Sequence, residues 1–367
     1  MSKEIEERNQ KVKTILESLY TSANNENLTI DDSEYIKSLN ILFDTTAWGF
    51  REMLLVVIIS MKLDSNYKAS TGLYESKPRA IYEGPIKEFL ISKNIPHRKS
   101  GPLNVAKATK GLDESWAAQR RPAEVAKEVV KLINYLEGND SSTKVNNVGI
   151  SLMKLFINES LRIENLSFEI TPTEDPEVLS YFCYKLVSET PDSGNTPQKI
   201  AALLLSNYHK GMNTGIVVTG IDDRASTTSS TSGKPGDVNE ESVDGVIYKV
   251  YEITVKKFDL ARIRDSFDAV SIYNNANNLN LKEIIVVCRK QDCPTEMQRS
   301  NFSSYLGSYT YNNLIYYYWD IYEWMNDTLQ RMTSESRQSF YSDLNEYISD
   351  INTSETVKSF WRELNNI

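Results

Sequence analysis

Hydrophobic residues recur every three or four positions along the first 165 residues, which is the spacing of one face of a helix. Residues 4–19 predict a charged amphipathic helix in this way. The mostly apolar run from Trp48 to Met61 predicts a central buried helix, and it is too short to span a bilayer. Further helices are predicted over residues 79–92, from Leu103, and over residues 122–136 and 150–163. We therefore expect residues 1–165 to form a helical region.

The pattern changes between residues 166 and 299, where runs of β-branched residues alternate with helical spacing. This alternation predicts a mixed α/β core. The predicted elements are a helix over 196–212 with Thr196 as its N-cap, a strand over 215–220, a hairpin, a helix over 259–275 and a buried strand over 282–289.

The last part of the chain, residues 300–367, begins with aromatic residues between Tyr305 and Trp324 and continues with two acidic segments of helical pattern. We interpret it as a helical extension packed on the core. Polar breaks at residues 138–143 and 171–176 are candidate boundaries. The expected organisation is a helical region over 1–165, a core over 166–299 and an extension over 300–367.

Asp244-Gly245 lies between residues that favour strands, with Val243 before it and Val246 after it. This pattern is typical of a hairpin with a two-residue type I′ turn, in which both central residues take positive φ. In such a turn Val243 pairs with Val246.

Counting outward from that turn places Asp237 directly opposite Glu252, with Cβ atoms roughly 5 Å apart. Because side chains alternate along a strand, Thr254 and Lys256 are expected on the same face as Glu252. The sequence thus predicts that two carboxylates and an amine meet at one point.

Two adjacent carboxylates repel and raise each other's pKa unless a cation neutralises them. Mg²⁺ suits this arrangement, because it binds through one or two carboxylates, several waters and substrate phosphate. Lys256 could then orient or deprotonate an attacking water. These are the components of metal-dependent phosphodiester hydrolysis. A solvated strand pair without chemical function stays open as the alternative.

Pro235-Gly236-Asp237 followed by Glu252 and Lys256 resembles the core motif of the PD-(D/E)XK nucleases, and in particular type II restriction endonucleases of the SacI type. Three residues separate Glu252 from Lys256 where most of the superfamily has one, and Thr254 stands where the acid usually lies. Either Glu252 or a water held by Thr254 could therefore fill the second acidic position.

This resemblance implies a mixed sheet flanked by helices, with a helical recognition region before it and a helical extension after it. It implies Mg²⁺-dependent cleavage of double-stranded DNA at a short specific site, with Asp237, Glu252 and Lys256 as catalytic residues and with Asp237 and Glu252 as metal ligands. It also implies a partner DNA methyltransferase and a homodimer, since a two-fold symmetric site matches a two-fold symmetric protein.

Charge is distributed unevenly along the chain. Residues 76–121, called the basic segment below, contain ten basic and four acidic residues and carry +6, whereas the whole chain carries −9. A local excess of this kind is typical of a nucleic-acid contact surface, and a solvated basic face is the alternative. Candidate DNA contacts are Arg98, Lys99 and Ser100 at a helix start, Lys107 and Lys110 one turn apart on a helix, and Gln119, Arg120 and Arg121 as readers of base edges.

Histidine is scarce, since His97 and His209 are the only two in the sequence. This argues against histidine-based zinc sites, Ser-His-Asp catalysis and histidine-metal nucleases. Three cysteines without metal-ligand spacing are typical of reduced thiols. The chain also lacks a secretory signal pattern and a membrane-spanning run, so we expect a cytoplasmic protein without membrane contact.

Two further functions stay open. One is a DNA-repair or other non-restriction nuclease with the same core, and the other is a catalytically silent DNA-binding protein. Residues 224–234 are rich in Ser, Thr and Gly and are expected to be mobile without DNA, with a plain linker as the alternative. Trp116 is expected in the core, and Glu159 is expected to be exposed rather than to support the metal site.

Overall fold

The computed structural model describes residues 3–25, 34–98, 101–223, 225 and 233–366. The chain divides into two compact units, Met1–Asn165 and Leu166–Ile367. Among the described helices, none combines the length and the apolar content needed to cross a bilayer.

The first unit is helical in its described residues and is built around one buried helix, Gly49–Leu63. Every residue of this helix from Gly49 to Met61 is buried, which confirms the central helix predicted there. Trp116 is also buried, as predicted. The α-helices of this unit are Lys3–Ala23, Glu34–Phe43, Gly49–Leu63, Ala69–Gly72, Pro78–Ile81, Lys87–Ser92, Gly101–Val105, Glu114–Ala118, Ala123–Leu136 and Ser141–Glu164, with a 3₁₀ turn at Leu73–Ser76 and a π turn at Tyr82–Ile86.

Two helices predicted in the basic segment differ from the structure. The helix expected over 79–92 is interrupted by the π turn, where Gly84 has non-helical dihedrals and Pro85 follows it. Proline lacks a backbone N–H and its ring crowds the preceding turn, so the helix cannot run through regularly. The helix expected from Leu103 ends at Val105.

The second unit contains a mixed sheet of seven strands flanked by helices. The strands are β1 (Val217–Thr219), β2 (Val238–Glu241), β3 (Ile247–Thr254), β4 (Glu283–Cys288), β5 (Gln298–Arg299), β6 (Tyr305–Tyr311) and β7 (Leu314–Asp320). Their order is β1-β2-β3-β4-β7-β6-β5. The pairs β3/β4 and β4/β7 are parallel, and the other pairs are antiparallel.

Parallel strands need a long connection, and the helix Leu260–Asn277, the crossover helix, supplies it between β3 and β4. Asp259 caps this helix by accepting hydrogen bonds from the backbone N–H groups of Ala261 and Arg262. The crossover helix packs on one face of the sheet through Ile263 and Val270.

The other face of the sheet packs against the remaining helices of the unit, and Tyr251 and Ile253 belong to this second core. These α-helices are Pro176–Glu189, Asn195–Gly211, Ile321–Arg331, Ser334–Ser349 and Glu355–Leu364, and the unit also has 3₁₀ turns at Asp192–Gly194 and Lys290–Asp292. The helix predicted from Thr196 is confirmed, but its N-cap is Gly194, and Thr196 is buried inside the first turn.

The expectation of a helical extension over residues 300–367 is wrong for residues 305–320, because β6 and β7 belong to the same sheet as the hairpin, and it is confirmed for the helices that follow from Ile321. Aromatic residues favour strands, and alternate tyrosines such as Tyr316 and Tyr318 point into one core. Asn312 takes a positive φ of 53° between the two strands, which is the conformation expected of a tight turn.

The hairpin β2/β3 has the predicted register but a different turn. Val238 pairs with Tyr251, and Glu240 pairs with Lys249, as counted from the sequence. The loop has three residues rather than two, since Ser242 N donates to Val246 O and Gly245 takes a positive φ of 81°.

The one-residue shift caused by that longer loop is cancelled by a β-bulge. Glu241 pairs with Ile247, so Tyr248 is the extra residue before the pair Glu240 and Lys249. The prediction of a type I′ turn is therefore wrong, and the predicted register beyond the bulge is confirmed.

Candidate active site

Asp237 lies immediately before β2, at the end of the hairpin where the chain enters the sheet. Its Oδ2 accepts a hydrogen bond of 3.0 Å from the backbone N–H of Ile253 on β3. The register pairs Val238 with Tyr251, so Asp237 is placed beside Glu252. We call Asp237 and Glu252 the buried acid pair, in which Glu252 is buried and Asp237 is partly buried.

Two glycines allow this close approach. Gly220 has a φ of +94°, and a Cβ added there would lie 2.1 Å from the carbonyl oxygen of Asp237. A Cβ on Gly236 would lie 2.4 Å from Val250 Cγ1 and 2.9 Å from the carbonyl oxygen of Tyr251. A larger residue at Gly220 would meet Asp237 from the β1 side, and one at Gly236 would meet β3, so either would displace Asp237 from this position.

Glu252 lies inside β3 with only 7% of its surface exposed, on the face covered by the crossover helix. Its Oε1 accepts a hydrogen bond of 3.2 Å from Ser266 Oγ on that helix. Its Oε2 lies 3.9 Å from a terminal guanidinium nitrogen of Arg262, one turn earlier on the same helix. The carboxylate is thus held between the strand and the helix.

Burial raises the pKa of both carboxyl groups, because the charged form loses its hydration. The pKa of Glu252 rises to about 8, through burial first and then through the negative charge of Asp237, while Arg262 and Ser266 act in the opposite direction. The pKa of Asp237 rises to about 6, also mainly through burial, against the hydrogen bond from Ile253. Full ionisation of both carboxyl groups is therefore unfavourable at neutral pH, and a bound cation would favour the ionised forms.

Arg262 was not identified from the sequence. It donates a 2.6 Å hydrogen bond to Thr254 Oγ1, and its guanidinium lies 4.8 Å from the centre of the Phe258 ring. The sequence contains a clue, because Arg262 and Ser266 lie four residues apart at the start of the crossover helix and therefore share a helix face. Both residues are polar, so the apolar spacing that predicts this helix does not point to them.

Thr254 is buried on the same face of β3 as Glu252. Besides the bond from Arg262, its Oγ1 accepts a 3.0 Å hydrogen bond from the backbone N–H of Lys256. The hydroxyl oxygen is thus engaged by two protein donors, which favours Glu252 as the second acidic residue.

Lys256 lies in a bend beyond the end of β3 and is exposed. The strand ends at Thr254, so the alternation used in the sequence prediction does not extend to Lys256. The structure brings Asp237 and Glu252 together. The backbone N–H of Lys256 contacts Thr254, which lies on the same face of β3 as Glu252.

Asn239 is a second residue that sequence reasoning missed. It lies two positions after Asp237 on β2, pairs with Val250, and is fully buried. Within the described part of the chain, neither its amide oxygen nor its amide nitrogen has a hydrogen-bond partner. Since residues two apart on a strand share a face, this unpaired amide lies on the face of the buried acid pair.

The donor set of this site suits a hard divalent cation. Mg²⁺ needs one or two carboxylates and completes its shell with waters and phosphate oxygens. Asp237 and Glu252 supply two carboxylates, and the amide oxygen of Asn239 is a third oxygen donor. Within the described parts of the chain, no group of three or more His, Cys, Asp and Glu side chains is arranged to hold a metal ion.

In the basic segment, Arg98 is held firmly. Its backbone N–H donates to Glu52, its carbonyl oxygen accepts from Tyr82, and its guanidinium lies 4.4 Å from the centre of the Trp48 ring. The neighbouring candidates Lys99 and Ser100 lie outside the described residues.

Lys107 and Lys110 do not lie on a helix, because the helix ends at Val105 and both residues follow it in a turn and bend. Both side chains are exposed. A guanidinium nitrogen of Arg120 donates to the carbonyl oxygen of Lys107 at 3.1 Å, which joins the two candidate stretches.

Gln119 and Arg121 are exposed, whereas Arg120 is partly buried. A guanidinium nitrogen of Arg121 donates to the carbonyl oxygen of Arg120 at 2.7 Å. Five of the candidate DNA contacts thus lie on two stretches of the first unit, which the contact between Arg120 and Lys107 joins. They are Lys107 and Lys110 on one stretch, and Gln119, Arg120 and Arg121 on the other.

The chain matches none of the known family models and none of the curated proteins with which it was compared.

The expectation that Glu159 is exposed is wrong. It is buried in the first unit, 3.2 Å from the guanidinium of the fully buried Arg51 and 2.9 Å from that of Arg162. A buried arginine requires such a partner, so Glu159 has a structural role. Most of the Ser, Thr and Gly-rich segment 224–234 lies outside the described residues.

Proposed function

We propose that this chain is a Mg²⁺-dependent type II restriction endonuclease of the PD-(D/E)XK superfamily that hydrolyses phosphodiester bonds in double-stranded DNA at a short specific site. The observation that carries the proposal is the buried acid pair, held by the hairpin β2/β3 with its pKa values raised towards neutrality. Like charges brought together under a helix destabilise a fold, so this arrangement calls for a cation.

In this function Asp237 and Glu252 hold Mg²⁺, and Asn239 contributes its amide oxygen to a bound water or to the ion. When bound, the ion activates water and stabilises the negative charge that develops on the phosphate. Asp237 is oriented by the backbone N–H of Ile253, and Glu252 is oriented by Ser266.

Lys256 has a flexible four-carbon side chain and an exposed position two residues beyond the end of β3, four positions after Glu252 along the chain. Its role in the proposal is to orient or deprotonate the attacking water. Arg262 places a positive charge beside Glu252 and Thr254, where it also offsets the charge of the acid pair before the ion binds.

The basic segment supplies the DNA contacts in this proposal. Lys107, Lys110 and Arg121 are exposed and suit phosphate oxygens, while Gln119 and Arg120 have the side chains that read adenine and guanine edges. Arg98, Lys99 and Ser100 complete the set. The proposal includes a homodimer, a cognate methyltransferase that protects the host DNA and a cytoplasmic location.

One observation favours a second function, a catalytically silent DNA-binding protein. Arg262 already lies 3.9 Å from Glu252, so a protein cation accounts for part of the charge compensation. The second candidate therefore differs from the first in one testable respect, which is metal-dependent cleavage. A non-restriction nuclease with the same core would instead prefer damaged or branched substrates.

The test is incubation of the purified protein with unmethylated plasmids and Mg²⁺, beside the Asp237→Asn variant, which keeps the size of the side chain. Discrete fragments that disappear in the variant support the proposed enzyme. Retarded but uncut plasmid with both proteins selects the silent binder. Cleavage of branched or damaged DNA alone selects the non-restriction nuclease. The absence of both DNA binding and DNA cleavage would overturn the proposal.

A further inference from the structure

A second polar site lies on the opposite face of the sheet from the buried acid pair. Residues 249 and 251 of β3 point to the face opposite Glu252, because side chains alternate along a strand. A cavity of about 430 Å³ opens there, which we call the aromatic cavity. Its lining includes His209, Glu240, Lys249, Tyr251, Trp324 and Arg331.

The floor of the aromatic cavity is a buried carboxylate. Glu240 is only 3% exposed, and its Oε1 accepts a 2.8 Å hydrogen bond from the Tyr251 hydroxyl. The other oxygen, Oε2, lies 3.8 Å from Lys249 Nζ, beyond hydrogen-bonding distance. Glu240 therefore has acceptor capacity that the cavity can offer to a ligand.

His209 adds a second polar group to the floor and is 7% exposed. Its Nδ1 lies 2.9 Å from Thr214 Oγ1, which orients the ring. Its Nε2 lies 3.0 Å from Glu240 Oε1 but does not form a hydrogen bond of acceptable geometry. The imidazole ring thus lies beside the Glu240 carboxylate and forms part of the polar floor.

Aromatic rings form the walls. Trp319 of β7 and Trp324 of the following helix both line the cavity and are partly buried. Trp324 packs edge-on against Tyr251, with ring centres 6.0 Å apart. Two indole rings beside a polar floor suit a flat heterocycle that stacks on the walls and carries N–H groups at its edge.

The rim carries charges of both signs, with Lys249 and Arg331 as its basic residues and Asp327 as its acidic residue. The side chains of Lys249 and Arg331 are 53% and 58% exposed, and Arg331 also pairs with Asp327 one turn earlier. An exposed lysine and arginine at the mouth of a cavity suit a phosphate group. The volume also lies within the range of roughly 300–1,000 Å³ typical of small-molecule sites.

We propose that the aromatic cavity binds a free nucleoside monophosphate. The base stacks on Trp319 and Trp324 and donates its N–H groups to Glu240, and the phosphate contacts Lys249 and Arg331. This inference goes beyond the proposed cleavage of DNA and requires neither Mg²⁺ nor the buried acid pair.

The experiment is isothermal titration calorimetry of the full chain, in buffer with EDTA, with the four ribonucleoside 5′-monophosphates, their nucleosides and inorganic phosphate. At least one monophosphate is expected to bind with a Kd below about 100 μM, and its nucleoside and phosphate alone are expected to bind at least about tenfold more weakly. The Asp237→Asn variant is expected to bind the monophosphate as tightly as the wild type, which separates this site from the proposed nuclease site.

Three variants locate the ligand. Lys249→Ala combined with Arg331→Ala is expected to weaken binding of the monophosphate about 10- to 100-fold through the lost phosphate contacts. Trp324→Leu is expected to weaken it about 5- to 100-fold through lost stacking. Lys210→Ala is the matched control, because Lys210 is exposed next to His209 outside the cavity lining, and it is expected to leave the Kd unchanged.

Three results would overturn the inference. The first is the absence of binding below 1 mM by all four monophosphates, and the second is equal binding by the double variant and the control. The third is displacement of the nucleotide by a duplex oligonucleotide, which would assign the cavity to the bases of a DNA strand. Because Lys249 and Arg331 are exposed, the double variant is expected to fold, and its urea unfolding curve checks this.

Discussion

Ionisation of Asp237 and Glu252 links stability to pH at the level of single residues. Because the pKa of Glu252 is raised in the folded protein, its ionisation costs more free energy in the folded protein than in the unfolded chain. The stabilising effect of its protonated form is fully present below the ordinary pKa of 4.5 and is lost as pH rises to about 8.

The Glu252→Gln variant is therefore expected to gain stability relative to the wild type as pH rises from 4.5 to 8, by roughly 2–4 kcal/mol in all. Urea unfolding at several pH values measures this difference. Mg²⁺ at 100 times its Kd is expected to stabilise the wild type by about 2.7 kcal/mol at pH 8 and to leave the variant nearly unaffected. A pH-independent difference would show that Glu252 is not the group being titrated.

If Glu252 binds Mg²⁺ as proposed, Arg262 is expected to compete with the ion for this carboxylate. Replacement of Arg262 by Gln removes a positive charge near the carboxylates, so binding of Mg²⁺ or Ca²⁺ is expected to tighten about five- to tenfold, after allowance for the partial exposure of this side chain. Calorimetric titration with Ca²⁺ measures the change. Arg264→Gln is the matched control, because Arg264 is exposed on the same helix. Weaker metal binding by the Arg262 variant would assign this residue a supporting role instead.

Asn239 is expected to lower the stability of the folded protein and to support its proposed activity. Its buried amide has no partner among the described residues, and such a group costs about 1–3 kcal/mol. Asn239→Leu keeps the branched shape of the side chain and removes this cost, so the variant is expected to be more stable by about 1 kcal/mol and to cleave plasmid at least about tenfold more slowly. Urea unfolding and a cleavage time course measure the two effects. Lower stability of the variant would mean that the amide has a structural partner.

At the level of elements, the hairpin β2/β3 delivers the acid pair, and its glycines set the geometry. Gly220→Ala is expected to destabilise the protein by about 2–4 kcal/mol, because its Cβ would meet the Asp237 carbonyl and its φ is positive. Gly215→Ala is the control, since Gly215 also has a positive φ of 73° but open space around it, and a cost of about 1 kcal/mol is expected. Equal losses in the two variants would contradict a steric role for the approach to Asp237.

The hairpin also shows how a correct register can follow from an incomplete account of the turn. Asp244-Gly245 marked the position of the bend. The longer loop adds one residue on the β2 side of the hairpin, and the bulge at Tyr248 adds one residue on the β3 side. The two shifts cancel before Glu240 and Lys249. Turn type depends on the twist that the finished sheet imposes, which local sequence preferences describe only in part.

At the level of the whole molecule, the chain separates its charges. The basic segment carries +6 within an acidic protein, so binding of DNA is expected to depend steeply on salt. Lys107→Ala and Lys110→Ala are each expected to lower the slope of log K against log salt by about one, since both residues are exposed and suit phosphate contacts. Fluorescence anisotropy from 50 to 300 mM salt measures the slope. Lys282→Ala, an exposed lysine of the other unit, is the control, and equal slopes in all four proteins would remove these lysines from the DNA surface.

The sequence by itself determined the local features of the protein. Apolar spacing predicted the central helix of the first unit, and alternation with counting predicted that Asp237 and Glu252 adjoin, because periodicity and strand pairing act over few residues. Only the tertiary structure showed that the aromatic residues 305–320 complete the same sheet, that Arg262 and Asn239 border the acid pair, and that Glu159 neutralises Arg51. Those relations join residues that are distant in sequence or placed on different elements, and burial, which decides charge and hydrogen bonding, exists only once the elements have packed together.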